Sequence, residues 1–219
     1  MDKFGLIGFP ISHSLSPKLF NAAYAGKYSY ELIETEDFDK AWEIFLNDYK
    51  AINVTAPFKG LAFERADWKS PECQRCGATN LCVKTSEGVK AYNSDYLGVK
   101  SLLQDLDKGK AAVIGYGGAG KAALAAAEDL GFQTSLYRHS EIEAGVSADV
   151  IIYTLPKEVK GCELLECHYL IEANYKDPCL SWYEGYIPGT AWHLMQAVLG
   201  YSLMTGEEPD KEAMKKVYL

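Results

Sequence analysis

Apolar residues recur along the chain at two spacings, and the switches between them mark out short elements. In "KFGLIGF", "YSYELIE" and "AINVTA" apolar side chains alternate or run together over a few residues, as strands require. Between these, "SPKLFNAAYAGK" and "DFDKAWEIFLNDY" repeat their apolar positions at helical spacing. The succession predicts βαβ units. "WKSPECQRCGA" reads as a turn entering a short helix, and "TNLCVKTSEGVKAYNSD" as two strands around a turn at Ser86–Gly88. "SDYLGVKSLLQDL" then reads as a helix leaving this unit, with Ser94 as its N-cap.

From Lys110 the pattern starts afresh. "AAVIGYGGAGKAALAAAEDLG" is strand, glycine-rich turn and Ala-rich helix, closed by Gly131. "FQTSLYR", "DVIIYTL" and "HYLIEANY" supply three further strands. "AWHLMQAVLGYSLMTG" and "DKEAMKKVYL" are helical, with Gly206 and Pro209 between them. The expected fold class is α/β throughout, in two units.

Composition narrows the field only a little. A chain of 219 residues, 48% apolar, is long enough for one large or two small cores. It has no apolar run of membrane-spanning length, and "MDKFGLIGFP" lacks the apolar segment of a secretory signal, so the expected location is the cytoplasm. The formal charge of −8, without clusters of Lys and Arg, argues against nucleic-acid partners. Any anion site must therefore be local. Among six cysteines, Cys73 and Cys76 form "CQRC". Cys162 and Cys167 match poorly as a second ligand pair, and no strand leads into the motif, so no metal site is expected and reduced thiols fit better.

"AINVTAPFKG" poses the first chemical question. Pro57 ends the pairing of the strand and Lys59 follows at once. Lysines just past strands are mostly solvated tips. Only the company that Lys59 keeps elsewhere in the chain can give it a proton to carry.

That company starts with "GYGGAG", which fits G-x-G-x-x-G through Gly115, Gly117 and Gly120. The preceding apolar strand and following helix are the context that a dinucleotide site requires. Gly115 permits the tight turn, Gly117 lets backbone approach a pyrophosphate, and Gly120 allows close helix–strand packing. Gly118 and Ala119 lie within the same turn and count among the cofactor-binding residues. The next strand, "FQTSLYR", ends without the Asp or Glu that would hold an NAD ribose and offers Arg138, His139 and Ser140 instead. A guanidinium can pair with a 2′-phosphate, so NADP is the better physical match.

"GFPISHSLSPKLFN" adds two hydroxyls. Pro17 at the first helical position with Ser16 before it is ordinary helix-start chemistry. Ser14 is not required by capping, and the pair makes a neutral donor site suited to a carboxylate.

With these residues assembled, the chain resembles the shikimate dehydrogenase family. The matches run in order: "ISHSLSPKLFN", "NVTAPFK", "GATN", "YNSDYLG", "GYGGAGKAA" and "GTAWHLMQA". The resemblance implies a substrate-binding domain over residues 1–98, rejoined by C-terminal helices over 190–219, and a Rossmann-like NADP domain over 99–189, with a cleft between them. It implies reversible NADPH-dependent reduction of 3-dehydroshikimate to shikimate by a monomer or homodimer. Lys59 and Asp95 match the catalytic pair. Ser14 and Ser16 match the carboxylate site, and Thr55, Asn80 and Gln196 match residues that bind the hydroxyls or carboxylate. Tyr175 is a further substrate match, and Gly189 matches a residue expected near the nicotinamide. The roles are physically sensible: Lys59 can stabilise the oxygen that gains charge as hydride arrives, and Asp95 can hold the lysine and accept from a hydroxyl.

The chain departs from the family where Tyr137-Arg138-His139 replaces N-R-[ST] and "YTLP" replaces N-A-T-P. It is also shorter than typical members, mainly in the nucleotide half. Two rival readings follow, a quinate/shikimate relative using another polyol acid or NAD, and a binding protein that has lost turnover.

Overall fold

The computed structural model describes residues 2–219. By its internal contacts the chain divides into two units, Met1–Ser94 with Ala197–Leu219, and Asp95–Gln196.

The first unit opens with β1 (Lys3–Gly8), α1 (Ser16–Ala23), β2 (Ser29–Glu34), α2 (Phe38–Asp48) and β3 (Ala51–Val54). It continues through α3 (Lys59–Arg65), β4 (Trp68–Lys69), α4 (Pro71–Cys76), β5 (Leu81–Thr85) and β6 (Gly88–Tyr92). Its six strands form one sheet in the order β2-β1-β3-β5-β6-β4. β1 is parallel to both β2 and β3, whereas β5 runs antiparallel to β3 and β6. β1 and β3 read as nearly unbroken apolar runs because helices cover both faces of a parallel core. On one face Trp42, Phe45 and Phe58 pack over Ile7, Ile52 and Val54. The other holds a cluster of rings, in which Phe20 meets Phe4, Tyr30 and Tyr201 at centroid distances of 5.1, 4.8 and 4.8 Å.

The second unit takes up α5 (Ser94–Leu103) from its second residue, then β7 (Lys110–Ile114), α6 (Gly118–Asp129) and β8 (Gln133–Tyr137). Next come β9 (Val146–Ser147), β10 (Val150–Tyr153), β11 (Leu165–Glu166), β12 (Tyr169–Glu172) and β13 (Tyr186–Ile187). α7 (Gly189–Thr205) carries the chain back into the first unit, where α8 (Lys211–Lys215) follows. Five strands form a sheet in the order β13-β12-β10-β7-β8, every pair parallel, the Rossmann-like arrangement. β9 and β11 pair separately. The alanines of α6 are almost all buried, and side chains this small let the helix lie close on the sheet. Gly131, at φ +87°, lies just past the helix end.

Among the described residues, no helix is long and apolar enough to cross a membrane.

Candidate functional site

In both sheets the strand order reverses at one point, and the chemically able residues gather there. In the first unit the chain leaves β1 for β2 on one side and returns to β3 on the other. A parallel sheet opens a crevice at the carboxyl ends of such a strand pair. The segment after β1 carries Ser14 and Ser16, and the segment after β3 carries Thr55 and Lys59. Ser14 Oγ donates to Ser16 Oγ at 3.1 Å and accepts from the Ser16 amide at 3.2 Å, so the two hydroxyls are held as a pair. Asn80 enters from the amino end of β5, which abuts β3 because the two are antiparallel.

Several expectations need adjusting here. Ser16 is the first residue of α1 and not its cap: the cap is Leu15, with no side-chain cap bond, and Pro17 falls one place later. The competition between capping and ligand binding at Ser16 therefore disappears. Lys59 is no solvated strand tip. It starts α3, a helix the sequence pattern did not announce, and its residue is half-buried. The Thr79 amide donates to the Lys59 carbonyl at 3.1 Å, which ties the start of α3 to the segment carrying Asn80. Asn80 is buried, and its side-chain oxygen accepts from the Ser94 amide at 2.6 Å and the Ser94 hydroxyl at 3.2 Å. That oxygen caps the start of α5, so one end of this side chain has a structural task.

Three residues of this region escaped the sequence analysis. Tyr201 donates to the Ser16 carbonyl at 3.2 Å. Tyr30 donates to Asn53 Oδ1 at 2.8 Å, and Asn53 Nδ2 donates to the Asn80 carbonyl at 3.2 Å. Burial pushes both phenols upward, with Ser16 pulling the other way, so both remain neutral donors. Nothing local in the sequence marks Tyr30 or Tyr201 as a ring whose hydroxyl is the useful part.

The second unit gathers its own group. Asp95 lies in the first turn of α5, and its carbonyl accepts from the Trp192 indole at 2.9 Å. Gln196 crosses the same helix at Gly98, where a Cβ would fall 2.8 Å from the Gln196 backbone nitrogen. Tyr175 follows β12 on a turn that Asn174 closes with its side-chain oxygen, accepting from the Lys176 and Asp177 amides at 3.3 and 3.2 Å. Behind that turn Glu172 is fully buried, accepting from the Cys179 amide at 2.9 Å and from Tyr186 Oη at 2.8 Å. Gly189 packs here too, since a Cβ would lie 2.6 Å from the Asn174 carbonyl oxygen.

His193, which the sequence did not single out, stacks on Tyr175 with ring centroids 3.9 Å apart and planes 8° from parallel. Desolvation holds its imidazole down at about 4 from an ordinary 6.5, with Asp95 opposing and Lys176 reinforcing the shift. A folded-state pKa below the unfolded one means that the unfolded chain binds more protons between these values. The stability from keeping this ring neutral is therefore complete above pH 6.5 and is lost as pH falls toward 4. His193→Phe, which keeps a flat ring on Tyr175, should lose less Tm than the parent between neutral pH and the lower end of that window. Equal losses in thermal melts of the two proteins would contradict this.

At the second switch point β7 leads to β8 on one side and to β10 on the other. The turn from Gly115 to Gly120 occupies it. Gly115 has φ +108°, and the Cβ of any other residue there would meet Thr154 Oγ1 at 2.4 Å. At Gly120 a Cβ would lie 2.0 Å from the Gly115 carbonyl oxygen, whereas at Gly117 it would meet nothing within 4 Å. Two glycines thus close the turn, and the third leaves backbone open at the start of a helix of 12 residues. Gly118 and Ala119 form its first turn. These residues fit a dinucleotide pyrophosphate. The Gly115 amide donates to the Tyr137 carbonyl at 2.9 Å, which brings the end of β8, and with it Arg138 and His139, beside the turn. The strand ends without a carboxylate, as the sequence shows, but the turn that follows folds Glu141 back, and its Oε2 accepts from the Arg138 amide at 2.6 Å.

Cys73 and Cys76 form no disulfide and are both buried on α4. Burial pushes the Cys73 thiol up to about 12, which keeps it protonated and a poor nucleophile. Among the described residues no group of three or more His, Cys, Asp or Glu could hold a metal ion.

Comparison with known proteins adds a family. Residues 6–82 match the model of the shikimate dehydrogenase substrate binding domain. The chain is 29% identical to the shikimate dehydrogenase (NADP(+)) of Bacillus licheniformis, across 99% of this chain and 96% of that protein. It is 35% identical to the shikimate dehydrogenase (NADP(+)) of Clostridium beijerinckii over 68% of its own length, and this match spans only 58% of that relative. In fold it is similar to the crystal structure of shikimate 5-dehydrogenase from Thermus thermophilus in complex with NADP(H) and shikimate. That likeness has a TM-score of 0.89 at 24% identity, covering 100% of this chain and 98% of the other.

Proposed function

This chain belongs to the shikimate dehydrogenase family, and from that premise we propose that it reduces 3-dehydroshikimate to shikimate with NADPH, reversibly. The single observation that carries the reading is the hydroxyl pair Ser14–Ser16, fixed at the sheet's switch point with Thr55 and Lys59 on the neighbouring strand exit.

The carboxylate site belongs to the first unit, and dinucleotide binding to the second. Ser14 and Ser16 hold the ring carboxylate, while Thr55, Asn80, Gln196 and Tyr175 orient the ring through its polar groups. The turn from Gly115 to Gly120 would hold the pyrophosphate of NADPH, Arg138 and His139 would meet its 2′-phosphate and Gly189 would border its nicotinamide, and the bound cofactor would supply the hydride. As the carbonyl carbon is reduced, negative charge grows on its oxygen, and Lys59 meets that charge and passes its proton there. Asp95 accepts from a substrate hydroxyl and so sets the ring's angle. In the reverse direction Lys59 takes the proton back.

A panel of shikimate and quinate, each with NADP and with NAD, tests this reading. The expected result is fastest cofactor reduction with shikimate and NADP. Faster turnover of quinate would give the chain to a relative with another polyol acid, and binding of shikimate without turnover would make it a silent binder.

Ser14→Ala tests the carboxylate site. A hydrogen bond to a charged group contributes about 1.5–3 kcal/mol, so shikimate should bind roughly 10- to 150-fold more weakly. Ser14 lies outside α1, whose cap is Leu15, so the helix should survive the loss of the one bond from the Ser16 amide to Ser14 Oγ, which a thermal melt of the variant checks. An unchanged Kd for shikimate, measured by calorimetry, would remove this assignment.

A further inference from the structure

Glu141 presents a negative charge at the corner where a dinucleotide's adenosine ribose is read. β8 ends at Tyr137, whose carbonyl accepts from Gly115 at 2.9 Å, so the strand exit and the glycine-rich turn are joined by a direct bond. The next amide, that of Arg138, donates to Glu141 Oε2 at 2.6 Å. In return the Glu141 amide donates to the Arg138 carbonyl at 3.0 Å, closing a single helical turn over His139–Glu141. The carboxylate is thus not free to swing away. It is anchored on the first residue after the strand.

Dinucleotide units choose between their two cofactors at this strand exit. A carboxylate about 20 residues past the glycine-rich turn accepts from the ribose 2′-hydroxyl, and an arginine accommodates a 2′-phosphate. Glu141 stands at that distance from Gly120, although it comes from the turn after the strand and not from the strand itself. Arg138 and Glu141 therefore place both chemistries on one turn. We propose that Glu141 is a specificity-determining residue that opposes Arg138 at the ribose 2′ position and holds down the preference for NADP over NAD. The inference rests on the dinucleotide reading of the second unit. Glu141 is exposed, so water screens its repulsion of a phosphate, and the effect belongs to the range of a partly screened pair.

Glu141→Gln isolates the charge, because the amide oxygen can still accept from Arg138. Calorimetric titration of the parent and variant with NADP and with NAD reads the effect without turnover. NADP should bind about tenfold more tightly to Glu141→Gln, equivalent to about 1.4 kcal/mol, with NAD unchanged or weaker. The gain should shrink in high salt, which a merely structural role of Glu141 would not produce. Arg138→Gln provides a second variant and should move the NADP-to-NAD ratio the opposite way. An NADP affinity unchanged in Glu141→Gln, while the parent binds both nucleotides, overturns the role of Glu141 and leaves the proposed function standing. Failure of the parent to bind either nucleotide overturns the dinucleotide reading and this inference with it.

Discussion

Lys59→Ala is expected to lower kcat by ~10²–10⁴, the usual contribution of a positioned acid or base. The residue is half-buried at the head of α3, and its carbonyl is pinned by the Thr79 amide, so its backbone is fixed where the strand β3 ends. A lysine held in place can meet developing oxyanion charge without first reorganising. Most of the loss should fall on kcat and little on the Kd for shikimate, because the charge it answers exists only as the hydride arrives. Thermal stability should change little, since the α3 cap bonds are backbone bonds that alanine preserves. A kcat near the parent's would leave Lys59 as a helix-start residue with no part in the chemistry.

Gly120→Ala should have the other large effect, and on a different quantity. The added Cβ would lie 2.0 Å from the Gly115 carbonyl oxygen and 3.2 Å from Thr154 Oγ1. The nearer atom is backbone, so the turn itself must shift, and with it the close seat of α6 on β7. Overpacking of this kind costs about 1–3 kcal/mol, and the shift also displaces the amides that would hold a pyrophosphate. Tm should fall and NADP affinity should drop at least tenfold. Gly117→Ala is the informative partner, because a Cβ there meets nothing within 4 Å. It should keep the parent's Tm and weaken only the nucleotide. A Gly120→Ala protein with unchanged Tm and unchanged NADP affinity would show that this turn is neither tightly closed nor a binding element.

The elements most readily seen in the sequence are those whose stability is periodic. The strands β1, β3, β7 and β10 run apolar because both faces are covered, and α2 and α6 show helical spacing or alanine richness. What escaped detection is short or held by remote partners. α3 has seven residues and no side-chain cap, and β4, β9, β11 and β13 have two residues each, too few to show a period. The start of α1 was misplaced by one residue because Ser16-Pro17 has the composition of a cap without the cap's bond.

The site divides along the same line. Ser14, Lys59 and the turn from Gly115 to Gly120 are visible because glycine, proline and paired hydroxyls punctuate a sequence. The Tyr175–His193 stack joins residues far apart in the chain, and no local pattern foretells it. Glu141 was passed over for a subtler reason. A ribose carboxylate is ordinarily delivered by the strand end itself, and this one folds back to the strand exit from the following turn.

The central claim is that this chain is an NADPH-dependent reductase of a cyclic keto acid, and one measurement addresses it directly. Purified protein is mixed with NADPH and 3-dehydroshikimate, and the absorbance of the reduced nicotinamide is followed. The account predicts a steady loss of NADPH that requires the keto acid and yields an equal amount of shikimate. A flat trace, with both ligands shown to bind, would contradict it.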